Sequence, residues 1–139
     1  MYNVFETSGK ETNVKNSKDK KTILVVDDDA MNLKVARFIL EQADYSVVEA
    51  SSGMECLMRL RGSQVDLILL DVEMPVMNGI KTLEHIREDV TYSDIPVMFL
   101  TSDASKDTVI NAGKLDAIGY VKKPYVPQEL LQRIEKIFE

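Results

Sequence analysis

A short run of wholly apolar residues recurs along the chain, and each copy is followed by a stretch with helical periodicity. Ile23–Val26 contains only aliphatic residues, and Val65–Leu70 is apolar at every position except Asp66. Such runs are typical of strands that are buried on both faces of a parallel sheet. Strand and helix patterns alternate five times from Thr22 onwards. This alternation predicts an α/β fold: a doubly wound five-stranded parallel sheet in a three-layer (βα)5 sandwich.

The boundaries of the elements follow from where the two periodicities change. The predicted strands are Ile23–Val26, Ser46–Glu49, Val65–Leu70, Pro96–Leu100 and Ile118–Val121. The predicted helices are one around Leu33–Leu40, then Gly53–Leu60, Ile80–Arg87, Ser105–Lys114 and Pro127–Phe138. We expect Met54 and Met58, on the apolar side of the second helix, to fill the core together with Met98. Asp29 is expected either to cap the first helix or to be a solvated carboxylate.

Residues 1–20 differ in composition from the rest of the chain. They are rich in Asn, Ser, Thr and Lys and contain few apolar residues. A segment of this composition has too little apolar surface to form a core. We therefore expect a polar N-terminal tail over residues 1–20 and a single domain over residues 21–139.

The composition argues against several classes of function. A formal net charge of −6 does not favour direct binding to nucleic acid. The single cysteine, Cys56, permits no internal disulfide, and it falls in a different helical pattern from the only histidine, His85, so a catalytic Cys/His pair is not expected. No apolar run approaches the length needed to cross a membrane. These features favour a cytoplasmic protein that does not interact with membranes.

Polar residues with complementary chemistry stand where the predicted strands end. They are Asp27 and Asp28 after the first strand, Asp71 after the third, Thr101 after the fourth and Lys123 after the fifth. In doubly wound sheets, ligands bind at this carboxyl edge. Carboxylates that converge there repel one another unless a cation intervenes, and oxygen ligands that are few in number suit Mg²⁺. A carboxylate nucleophile, a metal, an ammonium and a hydroxyl together indicate phosphoryl transfer.

The same stretches resemble those of the two-component response-regulator receiver domain. The resemblance covers about residues 21–138 and is carried by the motifs Ile23–Asp28, Leu69–Gly79, Leu100–Ser102 and Gly119–Pro124. Each motif alone is a weak signal, but all four occur in order and at separations similar to those of the family. The resemblance implies a flavodoxin-like fold and a signalling switch in place of an enzyme with a separate substrate.

The resemblance also implies roles for the acidic residues. Asp71 matches the phosphoacceptor, which also contacts the metal. Asp28 matches the acid that binds Mg²⁺ directly, and Asp27 the acid that acts largely through water. Glu73 stands where the family donates a backbone carbonyl to the metal. Mn²⁺ is expected to substitute for Mg²⁺.

The remaining motif positions correspond to the phosphate-binding and switching groups of receivers. Thr101 matches the hydroxyl that moves toward the phosphoryl group, Lys123 the lysine that binds phosphate, and Tyr120 the aromatic residue that swings inward on activation. Pro124 matches a proline with a cis peptide bond, and Gly79 matches a glycine in the turn after the site.

Two further expectations concern turnover and partners. Glu73 and Asp103 stand at the variable positions that tend to set the hydrolysis rate of the phosphorylated state. The phosphoryl donor is expected to be a sensor histidine kinase or a histidine phosphotransfer protein, and the output an effector domain or target protein that the sequence does not identify.

Two alternative functions are also considered. The first is a haloacid-dehalogenase-like phosphatase, which would require a second aspartate where this chain has Glu73. The second is a receiver that no longer accepts phosphate, for which no residue gives support.

Overall fold

The predicted strands form one parallel sheet in the computed structural model, which describes residues 20–102 and 113–139. They are β1 (Thr22–Val26), β2 (Ser46–Ala50), β3 (Leu67–Asp71), β4 (Val97–Thr101) and β5 (Gly119–Lys122). Their order across the sheet is β2-β1-β3-β4-β5. The strand order therefore reverses between β1 and β3, and in folds of this class the crevice for ligands opens at that point.

Helices follow the strands along the chain. They are α1 (Ala30–Gln42), α2 (Gly53–Gly62), α3 (Gly79–Glu88) and α4 (Pro127–Ile137). The Asp29 side chain accepts hydrogen bonds from two backbone N–H groups of the first turn of α1, which confirms it as the N-cap. The predicted helix Ser105–Lys114 lies almost wholly outside the described residues. None of the helices within residues 20–102 and 113–139 is long and apolar enough to cross a bilayer.

The core consists of one apolar cluster on each face of the sheet, as a three-layer sandwich requires. One cluster joins the sheet to α1 and α4, and the other joins it to α2 and α3. All the side chains of Ile23–Val26 and Leu67–Leu70 are fully buried. At about 1.5–3 kcal/mol for each buried aliphatic side chain, this burial holds β1 and β3 firmly in place. Asp27 and Asp71, at the ends of these two strands, are therefore held in fixed positions.

The orientation of α2 differs from the sequence prediction. Met54 and Met58 are 60% and 64% exposed, so the expectation that they fill the core is wrong, whereas Met98 is buried as predicted. The buried face of α2 carries Cys56 and Leu60 instead. Because Cys56 and Leu60 face the sheet, both methionines of α2 face outward. The observed β3 and β4 also end later than predicted, so that Asp71 and Thr101 are the last residues of their strands.

Candidate functional site

Three aspartates meet at the point where the strand order reverses. Asp27 follows β1 and Asp71 ends β3, and these two strands are direct neighbours in the sheet. One carboxylate oxygen each from Asp27, Asp28 and Asp71 can be chosen so that all three lie within 4.8 Å of one another. Asp27 and Asp71 are buried, whereas Asp28 is exposed. The cluster therefore has a buried floor of two carboxylates and one side that is open to solvent.

Lys123 extends from the end of β5 into this cluster. Its Nζ atom lies 3.2 Å from Asp27 Oδ2 and 3.1 Å from Asp71 Oδ1. Its backbone N–H donates to the carbonyl of Thr101 at 2.8 Å, which joins the end of β5 to the end of β4. The Lys123–Pro124 peptide bond is cis, as predicted, and Lys122 is exposed. The structure thus places Lys123 as the counter-ion of the two buried carboxylates.

The buried charges perturb one another. The pKa of Asp71 is raised to about 6: burial is the largest cause, repulsion by Asp27 contributes to the rise, and attraction by Lys123 opposes it. Burial alone lowers the pKa of Lys123, but attraction by Asp71 and Asp27 outweighs this effect, so the pKa is raised. Lys123 therefore stays protonated, while Asp71 is held in an environment that disfavours its negative charge.

The other side of the site is formed by the ends of β3 and β4. Thr101 is buried at the end of β4, and the next residue, Ser102, donates its hydroxyl to Glu73 Oε1 at 3.3 Å. The backbone N–H of Glu73 lies 3.4 Å from Asp71 Oδ1. The carboxylate of Glu73 is therefore held beside the entrance to the site, by a contact with Ser102 that the sequence did not predict. The only signal for Ser102 was its place directly after Thr101.

Gly79 stands where the chain turns back against the site. Its N–H donates to the carbonyl of Val72 at 2.8 Å. A Cβ atom at this position would overlap the backbone of Asp71 and Val72, so only glycine fits without movement. The turn therefore requires the glycine that the motif predicted.

Two other described residues, Tyr120 and Tyr125, belong to the surroundings of the site. Tyr120, in β5 beside Phe99 of β4, is half-buried against the α2 and α3 cluster. Asp103 lies outside the described residues, and its predicted role stays a prediction. Tyr125 was missed by sequence reasoning, although it directly follows the Lys123–Pro124 motif. Its hydroxyl is buried, and burial together with the negative charges of the nearby aspartates raises its pKa.

The donor set fits a hydrated divalent cation. The oxygen atoms of Asp27, Asp28 and Asp71 are hard ligands, and three carboxylates outnumber the single ammonium of Lys123. Because Asp28 is exposed, water can complete the coordination shell, as Mg²⁺ requires. Whether the backbone carbonyl of Glu73 also binds the metal stays a prediction.

Comparison with known proteins agrees with this geometry. The model of the response regulator receiver domain matches residues 23–135. The chemotaxis protein CheY of Pseudomonas aeruginosa is 35% identical over 118 residues, which are 84% of this chain and 95% of that protein. The solved structure of the chemotaxis protein CheY4 of Vibrio cholerae has a TM-score of 0.81 and 29% identity, covering 85% of this chain and 98% of that chain. A receiver domain protein from Methanospirillum hungatei has a TM-score of 0.79 and 31% identity, covering 86% of this chain and 94% of that chain. The chain therefore belongs to the response regulator receiver domain family of two-component signalling.

Proposed function

We propose that this receiver accepts a phosphoryl group on Asp71 in a reaction that depends on Mg²⁺. The donor is a sensor histidine kinase or a histidine phosphotransfer protein, and the phosphorylated domain then acts on an effector domain or target protein. The observation that carries the proposal is the buried Asp71 carboxylate, paired with Lys123 at 3.1 Å inside a cluster of three aspartates. A cytoplasmic location, without direct contacts to nucleic acid or membrane, belongs to the same proposal.

The hydrogen bonds of the cluster favour Asp71 over Asp27 as the nucleophile. Both oxygens of Asp27 already accept hydrogen bonds, one from the Asp29 N–H at 3.0 Å and one from Lys123. Asp71 contacts Lys123 through Oδ1, and within the described residues its Oδ2 accepts no hydrogen bond. Oδ2 therefore has lone pairs available for attack on phosphorus. As the Oδ2–P bond forms, the N–P bond of the phosphohistidine breaks and the released imidazole nitrogen takes a proton from solvent.

The remaining groups of the site would stabilise the charge of the phosphoryl group and respond to its presence. When bound, Mg²⁺ would supply positive charge to the phosphoryl oxygens and screen the three aspartates. The Lys123 ammonium is placed to neutralise a further phosphoryl oxygen. Thr101 supplies a hydroxyl from the end of β4, and the half-buried Tyr120 on the adjacent β5 can follow its movement. Phosphorylation thereby biases a conformational equilibrium, because these contacts exist in only one state.

Loss of the phosphoryl group completes the cycle. Water attacks phosphorus, the P–O bond to Asp71 breaks, and inorganic phosphate leaves. The family consists of signalling switches, and the phosphatase alternative finds no support at Glu73. A phosphatase would use that position as an acid and base, whereas here the exposed Glu73 side chain contacts Ser102. We propose slow autodephosphorylation in place of multiple turnover on a free phosphate ester.

The test is intact-protein mass spectrometry after incubation with phosphoramidate or acetyl phosphate. Wild-type protein should gain one phosphoryl group with Mg²⁺ or Mn²⁺ and none with EDTA. Asp71→Asn should gain none, whereas Asp29→Asn is the matched control, because Asn also caps helices well and the change removes a nearby charge. Labelling that persisted in Asp71→Asn would exclude Asp71 as the phosphoacceptor.

A further inference from the structure

The Tyr125 hydroxyl is a buried polar group that the site as described does not use. Tyr125 follows the cis peptide bond at Pro124, and its ring packs against the cluster shared by the sheet, α1 and α4. The hydroxyl oxygen is buried, and it is without a hydrogen-bond partner in residues 20–102 and 113–139. Buried tyrosine hydroxyls ordinarily have a partner, and an unsatisfied one costs about 1–3 kcal/mol. The Tyr125 hydroxyl is therefore expected to have a hydrogen-bond partner that the described protein groups do not supply.

The charges around the hydroxyl show where its partner belongs. Burial raises the pKa of Tyr125, and the negative charges of Asp27, Asp71 and Asp29 raise it further. The hydroxyl is accordingly protonated at neutral pH and acts as a neutral donor beside negative charge. It forms no hydrogen bond to Asp27, Asp29 or Asp71, so any contact with them is indirect. The gap between a donor and a group of carboxylates is suited to water.

We propose that Tyr125 is a positioning residue of the cation site, with its hydroxyl donating a hydrogen bond to a water molecule that Asp27 holds next to the bound cation. Asp27 is the appropriate carboxylate, because it is fully buried and contacts Lys123 and the Asp29 N–H on its other sides. Mg²⁺ keeps several of its waters, so a bound cation would hold a water between Asp27 and the hydroxyl. The inference rests on the proposed function, since it requires that this cluster binds Mg²⁺.

In this arrangement the Tyr125 hydroxyl increases the affinity of the site for Mg²⁺. A bound cation fixes the water that accepts this hydrogen bond, so the bond contributes more to the cation-bound state than to the metal-free state. Groups that orient metal ligands from outside the coordination shell typically change metal affinity about 10–100-fold when they are removed. Tyr125→Phe removes the oxygen alone and keeps the ring that packs against the core. We expect it to weaken Mg²⁺ binding about tenfold and to leave the metal-free protein at least as stable as wild type.

The test combines three measurements on the full chain. Calorimetry gives the Kd for Mg²⁺, urea unfolding in EDTA gives the stability without metal, and the ¹³C resonance of tyrosine Cζ reports hydrogen bonding of each hydroxyl. The matched control is Tyr45→Phe. Tyr45 is also half-buried, but its ring packs against Phe138 with centroids 5.9 Å apart, beyond the end of α1 that is remote from the aspartates.

The outcomes separate this inference from the proposal on which it rests. A higher Kd for Tyr125→Phe alone, with unchanged or increased metal-free stability and a Cζ shift of Tyr125 on Mg²⁺ addition, supports the positioning role. Equal Kd values for wild type and Tyr125→Phe would overturn it, as would a loss of metal-free stability with an unchanged Kd, which indicates a structural hydroxyl. If wild-type protein bound no Mg²⁺, the proposed function itself would be wrong.

Discussion

Asp71→Asn is expected to stabilise the metal-free domain, although it removes the proposed phosphoacceptor. The fold raises the pKa of this carboxyl from the ordinary 3.8 to about 6, first by burial and then by repulsion from Asp27, against the attraction of Lys123. At about 1.4 kcal/mol for each pKa unit, the ionised form costs the folded state about 3 kcal/mol at neutral pH. Asparagine has nearly the same shape and no charge. The free energy of unfolding of the variant should therefore be about 1–3 kcal/mol higher than that of wild type. The lower value applies if the lost attraction to Lys123 offsets part of the gain.

The pH dependence follows from the direction of the shift. Because the folded state raises the pKa of Asp71, the stabilisation from its protonated form is fully present below pH 3.8 and is lost as the pH rises through about 6. Asp71→Asn has no such group. The difference in unfolding free energy between the variant and wild type should be small near pH 4, grow between about pH 4 and 6, and stay constant above.

Urea unfolding in EDTA across this pH range measures the difference directly. Asp29→Asn is again the matched control, because Asp29 is exposed and its replacement keeps the cap of α1. Saturating Mg²⁺ should narrow the gap between Asp71→Asn and wild type, since the cation compensates the charge that the variant lacks. A variant that was less stable than wild type at pH 7.5 in EDTA would show that the ion pair with Lys123 outweighs burial, and the reasoning would be refuted.

Further predictions concern other parts of the site. Lys123→Ala should slow phosphorylation by phosphoramidate about tenfold or more, because a preorganised positive charge is lost; the exposed Lys122 gives the control Lys122→Ala, and equal rates for the two variants would exclude the role. Gly79→Ala should lower the unfolding free energy by about 1–3 kcal/mol through overlap with backbone, whereas Gly62→Ala, which meets open space, should not. Glu73→Asn should change the decay rate of phosphorylated protein several-fold in saturating Mg²⁺, and an unchanged rate would mean that its carboxylate does not reach the attacking water.

The parts of the fold that the sequence predicts well are those where the pattern has a single physical solution. Four successive aliphatic residues at Ile23–Val26 can be buried on both faces only in an interior strand, and all four are fully buried. Polar residues after such strands have to gather at one edge of a parallel sheet, which brings Asp27, Asp71 and Lys123 together. The cluster followed from topology without any knowledge of side-chain distances.

The features that the sequence did not predict depend on side-chain orientation. Met54 and Met58 are apolar and lie at helical spacing, but Cys56 and Leu60 define the buried face of α2, and a list of apolar residues does not distinguish the two faces. The Tyr125 hydroxyl has no signal of its own, because its place beside the aspartates depends on how the chain continues after Lys123. Local periodicity does not contain this information.

The position of the Lys123 ammonium indicates how a phosphoryl group on Asp71 would affect the rest of the sheet. Within the described residues, the acidic cluster has one cation in contact with it, Lys123, which directly follows β5 and does not belong to the buried strands β1 and β3. A phosphoryl group on Asp71 would compete with Asp27 for this ammonium and draw Lys123 toward β3. Because the Lys123 N–H is bonded to the carbonyl of Thr101, any such movement acts on both residues. The rigid centre of the sheet would therefore confine the response to its β4–β5 edge, where Tyr120 is only half-buried.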